Sequence, residues 1–262
     1  MAGIDTPLRT AKEQFDRQAT HYDAQWNQWT EESLAWLLGH ATPKTTDHVL
    51  DVATGTGFTA LGFAPHVQWV TGLDVSTGML EQARRRASEQ RITNVTFVEG
   101  AAELLPFPDA SFDLVTCRIA PHHFLSVPRF LAETNRVLRP EGRVALADTT
   151  VPADSTCDAW QNRVETLRDP SHVRNYTRTE WERFVIAAGF TLAVVEDASG
   201  GIAITLNDWL VKAGCSPDQS DAVRREFAKA STAVERAFHI ERLAANDIGF
   251  TWQRIAFVAN KQ

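Results

Sequence analysis

The sequence of 262 residues predicts an α/β fold, in which a mostly parallel sheet is covered by helices on both faces. Through the first 150 residues, short apolar runs rich in β-branched residues alternate with amphipathic helical patterns. The first of these runs ends in a glycine-containing turn, 53–57, as a buried parallel strand does where it leads into a helix. A repeated strand–helix–strand order of this kind indicates parallel strands, because a helix returns the chain to the starting edge of the sheet.

The first half of the chain contains five predicted strands separated by helical patterns. Pro65 stops the first helix, because proline lacks the backbone N–H that a helix interior needs. Ser76 can cap the second helix through its hydroxyl, and Pro128 suits the first turn of the third. The predicted strands are 49–53, 67–74, 95–98, 112–117 and 143–148.

The second half has a less regular pattern. Thr177 and Glu180 have the spacing of a capping box, and Gly189 ends the helix that follows. Two more strands bring the predicted total to seven. The other predicted elements are a helix at 154–168, a strand at 190–196, a helical stretch from 216 to about 245, and a final strand at 250–258.

Composition limits the classes of function. The chain has 26 Lys and Arg against 33 Asp and Glu, a net charge of −7, which argues against non-specific binding to long nucleic acids. Its three cysteines are scattered, and no cluster of possible metal ligands has the spacing of a metal site. Residues 1–12 lack the apolar stretch of a signal peptide, and no apolar run could span a bilayer. We therefore expect a cytoplasmic protein, a monomer or homodimer, that acts on small molecules.

A glycine turn and two acidic residues are the candidate ligand site. Gly55 and Gly57 permit a close backbone approach where a strand meets a helix. Asp51 lies four residues before Gly55, and Asp74 ends the second strand, where a carboxylate can accept both hydroxyls of a ribose. The alternative is a generic tight turn with a helix-capping aspartate. A dinucleotide site fits less well, because Ala60 replaces the third glycine of that pattern and the pattern does not require Asp51.

Taken together, five segments resemble the class I S-adenosylmethionine-dependent methyltransferases of the ubiquinone/menaquinone C-methyltransferase type. The resemblance implies a Rossmann-like fold, with a seven-stranded, mostly parallel sheet that includes one antiparallel strand, plus a helical insertion and cap. It also implies S-adenosylmethionine as cofactor and S-adenosylhomocysteine as product. The matching segments are 15–23 (F-x3-A-x2-Y-D), 49–57, 72–83, 97–124 and 136–148.

The same resemblance implies contacts along the whole cofactor. Asp74 would bind the ribose, Arg118 would lie beside the cofactor, and Tyr22 would close over it. Many relatives have an acidic residue where Ala101 stands, so the adenine amino group would lose one hydrogen bond, worth about 1 kcal/mol. The remaining implied contacts are Asp51, Ala53, Gly55 and Gly57 at the methionine part, Val75 and Met79 beside the adenine, and Ala101, Ala102 and Glu103 at its edge.

Two histidine-containing segments are candidates for chemistry on the acceptor. His122 and His123 follow the fourth strand, where a general base would be needed, and histidine titrates near neutral pH. Alternatively, one packs structurally and the other faces solvent; the sequence does not choose between them. His172 and Arg174 could bind an anionic or phenolic acceptor, or belong to a loop that Asp169 ties to a neighbouring arginine.

The sequence therefore predicts a small-molecule methyltransferase that acts on carbon or oxygen of an aromatic, quinonoid or polyketide-like acceptor. A protein of the same fold could instead use the bound sulfonium in a cyclisation or rearrangement. A nicotinamide dehydrogenase is disfavoured, because no Tyr-x-x-x-Lys site is present. The predicted organisation is a single domain, 1–262, with an N-terminal helical cap at 1–40, a cofactor-binding core at 41–150, and helical substrate-side elements at 151–178 and 200–245.

Overall fold

The structure is a computed structural model that describes residues 12–16 and 27–262. At 27–30, 197–202 and 245 it describes the backbone alone. Tyr22, predicted to close over the cofactor, lies outside the described residues. The helices are α1 (residues 12–16), α2 (Asn27–Ala41), α3 (Phe58–Phe63), α4 (Thr77–Glu89), α5 (Val127–Val137), α6 (Ser155–Arg168), α7 (Arg178–Ala187), α8 (Leu206–Lys212), α9 (Pro217–Ala228) and α10 (Thr232–Ala237).

The strands form one sheet in the order β3-β2-β1-β4-β5-β8-β6. The strands β1 to β5 are parallel, whereas β8 is antiparallel to both β5 and β6. The prediction of a mostly parallel sheet with one antiparallel strand is thus confirmed. The strands are β1 (His48–Val52), β2 (Trp69–Asp74), β3 (Val95–Glu99), β4 (Phe112–Arg118), β5 (Leu138–Thr150), β6 (Phe190–Thr205), β7 (Glu241–Arg242) and β8 (Ile248–Lys261).

Apolar side chains fill both faces of the sheet. One core cluster packs Phe130 of α5 and Trp181 of α7 against the sheet, and the opposite cluster packs Leu37 of α2 and Phe63 of α3. A third cluster joins α6, α8, α9, α10 and β8 beyond the sheet. It is built mainly from aromatic rings, namely Trp160, Trp209, Phe227, Phe238, Phe250 and Trp252.

The C-terminal third differs from the prediction in three places. The strand predicted at 190–196 continues to Thr205, because β6 pairs with β8 beyond its apolar run and the pairing satisfies its backbone. The helical stretch predicted at 216–245 is wrong as one element, since Ser231 caps a separate helix, α10, and β7 follows it. The substrate-side region predicted as helical at 200–245 accordingly begins as strand and contains the short strand β7 near its end. The two-residue β7 is an eighth strand that the pattern did not predict.

Candidate active site

The carboxyl ends of β1, β2, β4 and β5 meet at one edge of the sheet, where open α/β sheets bind their ligands. This edge carries Asp51 in β1, Asp74 in β2, Arg118 in β4 and Asp148 in β5. All three carboxylates are buried. A buried acidic side chain needs hydrogen-bonding partners, and those partners define the shape of the site.

Asp51 is held by two threonine hydroxyls. Thr54 donates to its Oδ2 over 2.6 Å, and Thr116 donates to its Oδ1 over 2.7 Å. Burial raises the pKa of Asp51 to about 6, although these hydrogen bonds favour the charged form. Asp51 therefore attaches the turn that follows β1 to the neighbouring strand β4. Its direct contact with a cofactor stays a prediction.

The turn after β1 contains left-handed backbone at three positions. Ala53 and Gly55 both have φ of 54°, and Gly57 has φ of 84°. A Cβ on Gly57 would lie 3.1 Å from the Cβ of Ala83, so glycine lets the turn pack closely on α4. A Cβ on Gly55 would meet no atom of the described residues within 4 Å, so among those residues this part of the turn faces open space. A ligand therefore has room beside Gly55, as the predicted methionine contact requires.

Asp74 joins the two turns that would surround a nucleoside. Its Oδ2 accepts from the backbone N–H of Gly55 at 2.8 Å, and its Oδ1 accepts from that of Ser76 at 2.9 Å. Burial raises the pKa of Asp74. A carboxylate has about four acceptor positions, so both oxygens retain lone pairs for ribose hydroxyls. The donors and acceptors at this edge thus fit an adenosine-containing cofactor.

Helix α1 lies against the turn that follows β2. The ammonium of Lys12 donates to the carbonyl of Val75 at 2.8 Å and forms an ion pair with Glu99 at 2.7 Å. Asp16 accepts from the hydroxyl of Ser76 at 2.5 Å. Sequence reasoning missed Lys12 and Asp16, although both lie in or beside the matched 15–23 segment. The N-terminal segment therefore contacts the predicted adenosine side directly.

The residues predicted at the adenine edge have different surroundings. Met79 and Ala102 are buried, whereas Ala101 is partly exposed. Glu103 accepts from the backbone N–H groups of Leu125 at 2.8 Å and Ser126 at 3.4 Å through one oxygen, Oε1. Glu103 therefore ties the loop after β3 to the start of α5, a structural role that its sequence position did not indicate. The contacts of all four residues with adenine stay predictions.

Arg118 lies at the end of β4 and connects three elements. Its Nε donates to the hydroxyl of Thr59 in α3 at 2.7 Å, and its Nη1 donates to Ser33 of α2 at 3.2 Å. Its guanidinium carbon lies 5.1 Å from the ring centroid of Phe58. Arg118 thus contacts the helix that follows the glycine turn, and its place beside the cofactor stays a prediction.

His122 and Asp148 form a closely hydrogen-bonded pair. The Nδ1 of His122 lies 2.6 Å from Asp148 Oδ1, and the His122 backbone N–H donates to Oδ2 at 3.0 Å. Burial disfavours the charged ring, but the Asp148 carboxylate outweighs it and raises the pKa of His122. Because an ionised carboxylate only accepts, Nδ1 carries the proton, and Nε2 is the nitrogen that can exchange one. Sequence reasoning missed Asp148, which lies 26 residues away in the chain.

His123 has a different environment, although its ring centroid is only 4.2 Å from that of His122. Its Nδ1 donates to the carbonyl oxygen of Ser171 at 3.1 Å, and the Ser171 hydroxyl donates to Asp169 at 2.6 Å. Burial and the neighbouring His122 lower the pKa of His123 to about 4. The edge of the Phe15 ring in α1 packs on it, with centroids 5.0 Å apart. Neither histidine is an exposed side chain.

The loop at 169–175 holds the histidine pair in place. The backbone N–H groups of Val173 and Arg174 both donate to the carbonyl oxygen of His122, at 2.9 and 3.1 Å. His172 is buried beside the pair, and burial together with His122 lowers its pKa to about 2. Sequence reasoning placed this segment near the acceptor but did not predict that it supports His122.

Arg174 forms ion pairs with Asp158 at 2.9 Å and Glu180 at 3.2 Å. Asp169 accepts hydrogen bonds from the backbone N–H and the hydroxyl of Ser171 through its Oδ1, and its charge also interacts with that of Arg168, its neighbour in the chain. The contact of Arg174 with an acceptor stays a prediction, and its two carboxylate partners give it a structural role.

A cleft opens between α2, β6 and β8, with Asp148 and Ile119 among its lining residues. The indole of Trp36 donates to Glu196 across it, and Arg254 forms an ion pair with Glu32 at 3.1 Å.

Within residues 12–16 and 27–262, no group of three or more His, Cys, Asp or Glu is arranged to hold a metal ion. No helix in the described part of the chain has the length and apolar character needed to cross a bilayer.

A glycine turn between two buried carboxylates, at the carboxyl edge of a parallel sheet, defines a cofactor-binding α/β protein. A family model described as "Methyltransferase domain" matches residues 50–146, which contain Asp51, Asp74 and Arg118 of this edge. The chain is 37% identical to the uncharacterized methyltransferase YcgJ of Bacillus subtilis, over 80% of this chain and 82% of that one. It belongs to this family of S-adenosylmethionine-dependent methyltransferases, so S-adenosylmethionine is its cofactor.

Two further comparisons agree with this family assignment, and a third shows a likeness of fold alone. The crystal structure of the B. subtilis YcgJ protein superposes with a TM-score of 0.83, at 34% identity, and covers 88% of this chain and 99% of that one. A demethylmenaquinone methyltransferase of Symbiobacterium thermophilum is 40% identical over 57% of this chain and 65% of its own. The crystal structure of the [4+2]-cyclase SpnF superposes with a TM-score of 0.64 at 22% identity, and the match covers 90% of this chain and 82% of that one. At this identity the likeness is one of fold alone.

Proposed function

We propose that the chain transfers a methyl group to an oxygen, or to an activated enolic carbon, of a small aromatic, quinonoid or polyketide-like acceptor, with His122 as general base. The observation that carries the proposal is the 2.6 Å contact between His122 Nδ1 and Asp148 at the carboxyl edge of β5. The demethylmenaquinone methyltransferase relative supports an acceptor of this class. A hydroxyl acceptor must lose its proton, and an enolic carbon sheds one after attack, so both reactions use a base.

The residues of the chain divide the work between binding and proton transfer. When bound, S-adenosylmethionine supplies an electrophilic methyl group on a sulfonium. Asp74 and the turn around Gly55 would hold it, and Arg118 would border it. His122 would take the acceptor's proton on Nε2, while Asp148 holds Nδ1–H and stabilises the imidazolium that forms. The acceptor atom, left with its electron pair, would then bond to the methyl carbon while the bond from that carbon to sulfur breaks, which leaves S-adenosylhomocysteine.

His122 is a better candidate for the base than His123. A buried carboxylate stabilises the protonated ring of His122, whereas the Nδ1 of His123 faces the carbonyl and hydroxyl oxygens of Ser171, which carry no charge. Burial and the neighbouring His122 lower the pKa of His123 to about 4, so it stays neutral and is a weak proton acceptor near neutral pH. We assign His123 to the positioning of the acceptor, because its ring packs against both His122 and Phe15 of α1.

The cyclisation alternative keeps the fold and the cofactor but transfers no methyl group. The likeness to the [4+2]-cyclase is a likeness of fold, since fold does not determine the chemistry of a site. A base held by a buried carboxylate favours methyl transfer, because proton removal makes the acceptor nucleophilic.

A transfer assay with methyl-labelled cofactor tests the proposal. Purified full-length chain would be incubated with a panel of phenols, quinols and enolic diketones, and label would be followed into the organic products. We expect transfer to some members of the panel, a loss of about 100-fold or more in kcat for His122→Gln, and no loss for His66→Gln, a substitution of an exposed histidine. Equal activity in His122→Gln would refute the assignment of the base.

The pH dependence of the same reaction gives a second check. The base must be neutral to accept a proton, and Asp148 raises the pKa of His122. The rate should therefore rise with pH, along a limb whose midpoint lies above the ordinary histidine value of about 6.5. A rate that is flat from pH 6 to pH 9 would count against His122 as the base.

A further inference from the structure

The histidine pair presents two unprotonated ring nitrogens. The Nδ1 of His122 carries its proton toward Asp148, and the Nδ1 of His123 lies 3.1 Å from both the carbonyl and the hydroxyl oxygen of Ser171. That hydroxyl gives its own proton to Asp169, and a carbonyl oxygen only accepts, so the Nδ1 of His123 also carries a proton. A neutral imidazole has one donor and one acceptor, so Nε2 is the acceptor in both rings.

Both Nε2 atoms are directed away from the partners of the Nδ1 atoms. Nδ1 and Nε2 point in diverging directions from an imidazole ring, and Asp148 and Ser171 are both buried. The His122 side chain keeps 14% of its surface exposed, and His123 is also partly exposed. Among the residues that the structure describes, neither Nε2 has a hydrogen-bond partner. Both nitrogens can therefore accept a hydrogen bond from a ligand.

Helix α1 connects the histidine pair with the predicted ribose site. The edge of the Phe15 ring packs on His123, with centroids 5.0 Å apart. The next residue, Asp16, accepts from the Ser76 hydroxyl at 2.5 Å, and Ser76 donates its backbone N–H to Asp74 at 2.9 Å. Two consecutive residues of one helix thus contact the two parts of the site, so a ligand at the histidine pair would lie near the cofactor.

The two rings are close enough to bind one small molecule together. Their centroids lie 4.2 Å apart, with the ring planes at 45°, and each Nε2 is a ring atom. Two hydroxyl groups that donate to these nitrogens therefore fit best when they lie close together, as on neighbouring carbons of an aromatic ring. We propose that His122 and His123 select a methyl acceptor with two neighbouring hydroxyl groups, of the catechol type, an inference that rests on the proposed function.

The two histidines treat the two hydroxyl groups differently. His122 takes the proton of one hydroxyl, and the oxygen bonds to the methyl carbon while the bond from that carbon to sulfur breaks. Burial and the neighbouring His122 lower the pKa of His123 to about 4, so His123 stays neutral and accepts a hydrogen bond from the second hydroxyl, which keeps its proton. The monomethyl ether that forms has only one O–H. His123 therefore distinguishes the diol from a ring with one hydroxyl and from the product.

Binding of three small phenols tests the inference without methyl transfer. The full chain, saturated with S-adenosylhomocysteine, would be titrated with catechol, 2-methoxyphenol and phenol in a ligand-observed NMR experiment. Catechol should bind about 5-fold to 10-fold more tightly than the other two, because 2-methoxyphenol lacks the second O–H proton and phenol lacks the second oxygen. Equal binding of the three, or binding of none, to the wild-type chain would overturn the inference whether or not any variant folds.

A matched pair of substitutions tests whether the preference depends on Nε2 of His123. His123→Asn can keep an N–H donor toward Ser171 but is too short to place an acceptor where Nε2 lies, so the catechol preference should be lost. His123→Gln can place its amide oxygen there and should retain part of the preference. The control His66→Asn, at an exposed histidine, should retain all of it. A preference that survives in His123→Asn would overturn the role of His123.

Methyl transfer gives a second readout. Wild-type chain should methylate catechol once, to 2-methoxyphenol, with a kcat/KM about 5-fold or more above that for phenol, and His123→Asn should reduce this ratio toward one. Transfer to phenols without a preference for catechol would overturn the inference and leave the proposed function standing. A catechol preference in binding, without transfer to any acceptor, would refute the proposed function alone.

Discussion

The site has two parts that are built in opposite ways. We call them the cofactor edge, which consists of Asp51, Asp74 and the turn at 53–57, and the histidine edge, which consists of His122, Asp148 and the residues that surround them. At the cofactor edge, Asp51 and Asp74 have both carboxylate oxygens hydrogen-bonded to nearby hydroxyl or backbone N–H groups. At the histidine edge, Gln161, His172 and Asn175 each keep a buried atom that has no hydrogen-bond partner among the residues that the structure describes. The first edge is internally satisfied before a ligand arrives, whereas the second retains unmet hydrogen-bonding capacity.

This difference shows where the chain is general and where it is specific. A shared cofactor can be bound by a turn whose geometry is fixed by its own short segment, as around Gly55 and Asp74. An acceptor must be distinguished from similar molecules, and a site distinguishes best through polar atoms that a wrong molecule leaves unpaired. We therefore expect substitutions at the two edges to affect different measured quantities.

The largest expected effect belongs to Asp148→Asn at the histidine edge. An amide in place of the carboxylate can favour the wrong tautomer of His122 and no longer stabilises its protonated form, so kcat should fall roughly 100-fold or more. Because the carboxylate raises the pKa of His122, its loss should also move the rising limb of the rate profile to lower pH. Cofactor affinity should change little. An unchanged limb would mean that Asp148 does not act through His122.

A smaller loss is expected for Asp74→Ala at the cofactor edge. This change removes the acceptor for the Gly55 and Ser76 N–H groups and for ribose hydroxyls. Hydrogen bonds to a charged group contribute about 1.5 to 3 kcal/mol, so the affinity for S-adenosylhomocysteine should fall roughly 10-fold to 100-fold. Calorimetric titration measures this directly. A change in the rate profile with pH, at unchanged affinity, would contradict the division between the two edges.

Acid stability provides a third comparison through His172. Burial and His122 lower the pKa of His172 to about 2 in the folded chain, well below the ordinary value of 6.5. Below pH 6.5 the unfolded chain therefore binds a proton that the folded chain does not, and the free energy of unfolding falls as pH falls. One such group contributes about 1.4 kcal/mol per pH unit.

Replacement by a non-titrating residue should remove this contribution. Urea unfolding at pH 7.5, 6 and 5 should show a shallower loss of stability in His172→Asn than in wild type. The matched control, His66→Asn, should keep the wild-type slope because His66 is exposed. Parallel slopes for all three chains would show that His172 titrates normally in the folded state.

The smallest expected effect is a gain at the cofactor edge. Ala101→Asp would restore the acidic residue that many methyltransferases of the resembling family place there, and Ala101 is only partly buried. One additional hydrogen bond to the adenine amino group is worth about 1 kcal/mol, or roughly a fivefold increase in affinity for S-adenosylhomocysteine. A titration that shows weaker binding would place the adenine elsewhere.

Much of the cofactor edge could be predicted from sequence because its parts are close together in the chain. Asp51, Gly55 and Gly57 lie within residues 51–57, and Asp74 ends the next strand of the sheet. The strand and helix patterns alone therefore predict that these residues lie close together. The partnership of His122 with Asp148 required knowledge that β4 and β5 are neighbours and that their ends coincide. The hydrogen bond between His123 and Ser171 joins residues that are 48 positions apart. The loop that contains Ser171 has no repeating pattern from which this contact could be predicted.

The misjudged elements have related causes. The extension of β6 to Thr205 depends on its pairing with β8, which a local pattern does not report. The break at Ser231 depends on a cap within a segment that is otherwise favourable to helix. Glu103 has a structural role that its sequence position did not indicate, because the loop after β4 comes close enough to donate to its carboxylate, while its predicted contact with adenine stays a prediction. For β6 and Glu103, a distant part of the chain thus determines a feature that a local pattern does not report.

The two hydrogen bonds from the loop at 169–175 to the carbonyl oxygen of His122 also couple the position of that loop to the proposed base. Any outward movement of that loop would pull His122 out of line with Asp148 and so disable the base. We therefore expect the acceptor to enter and the methylated product to leave without displacing this loop. The chain can then exchange its small molecules while the base stays in place.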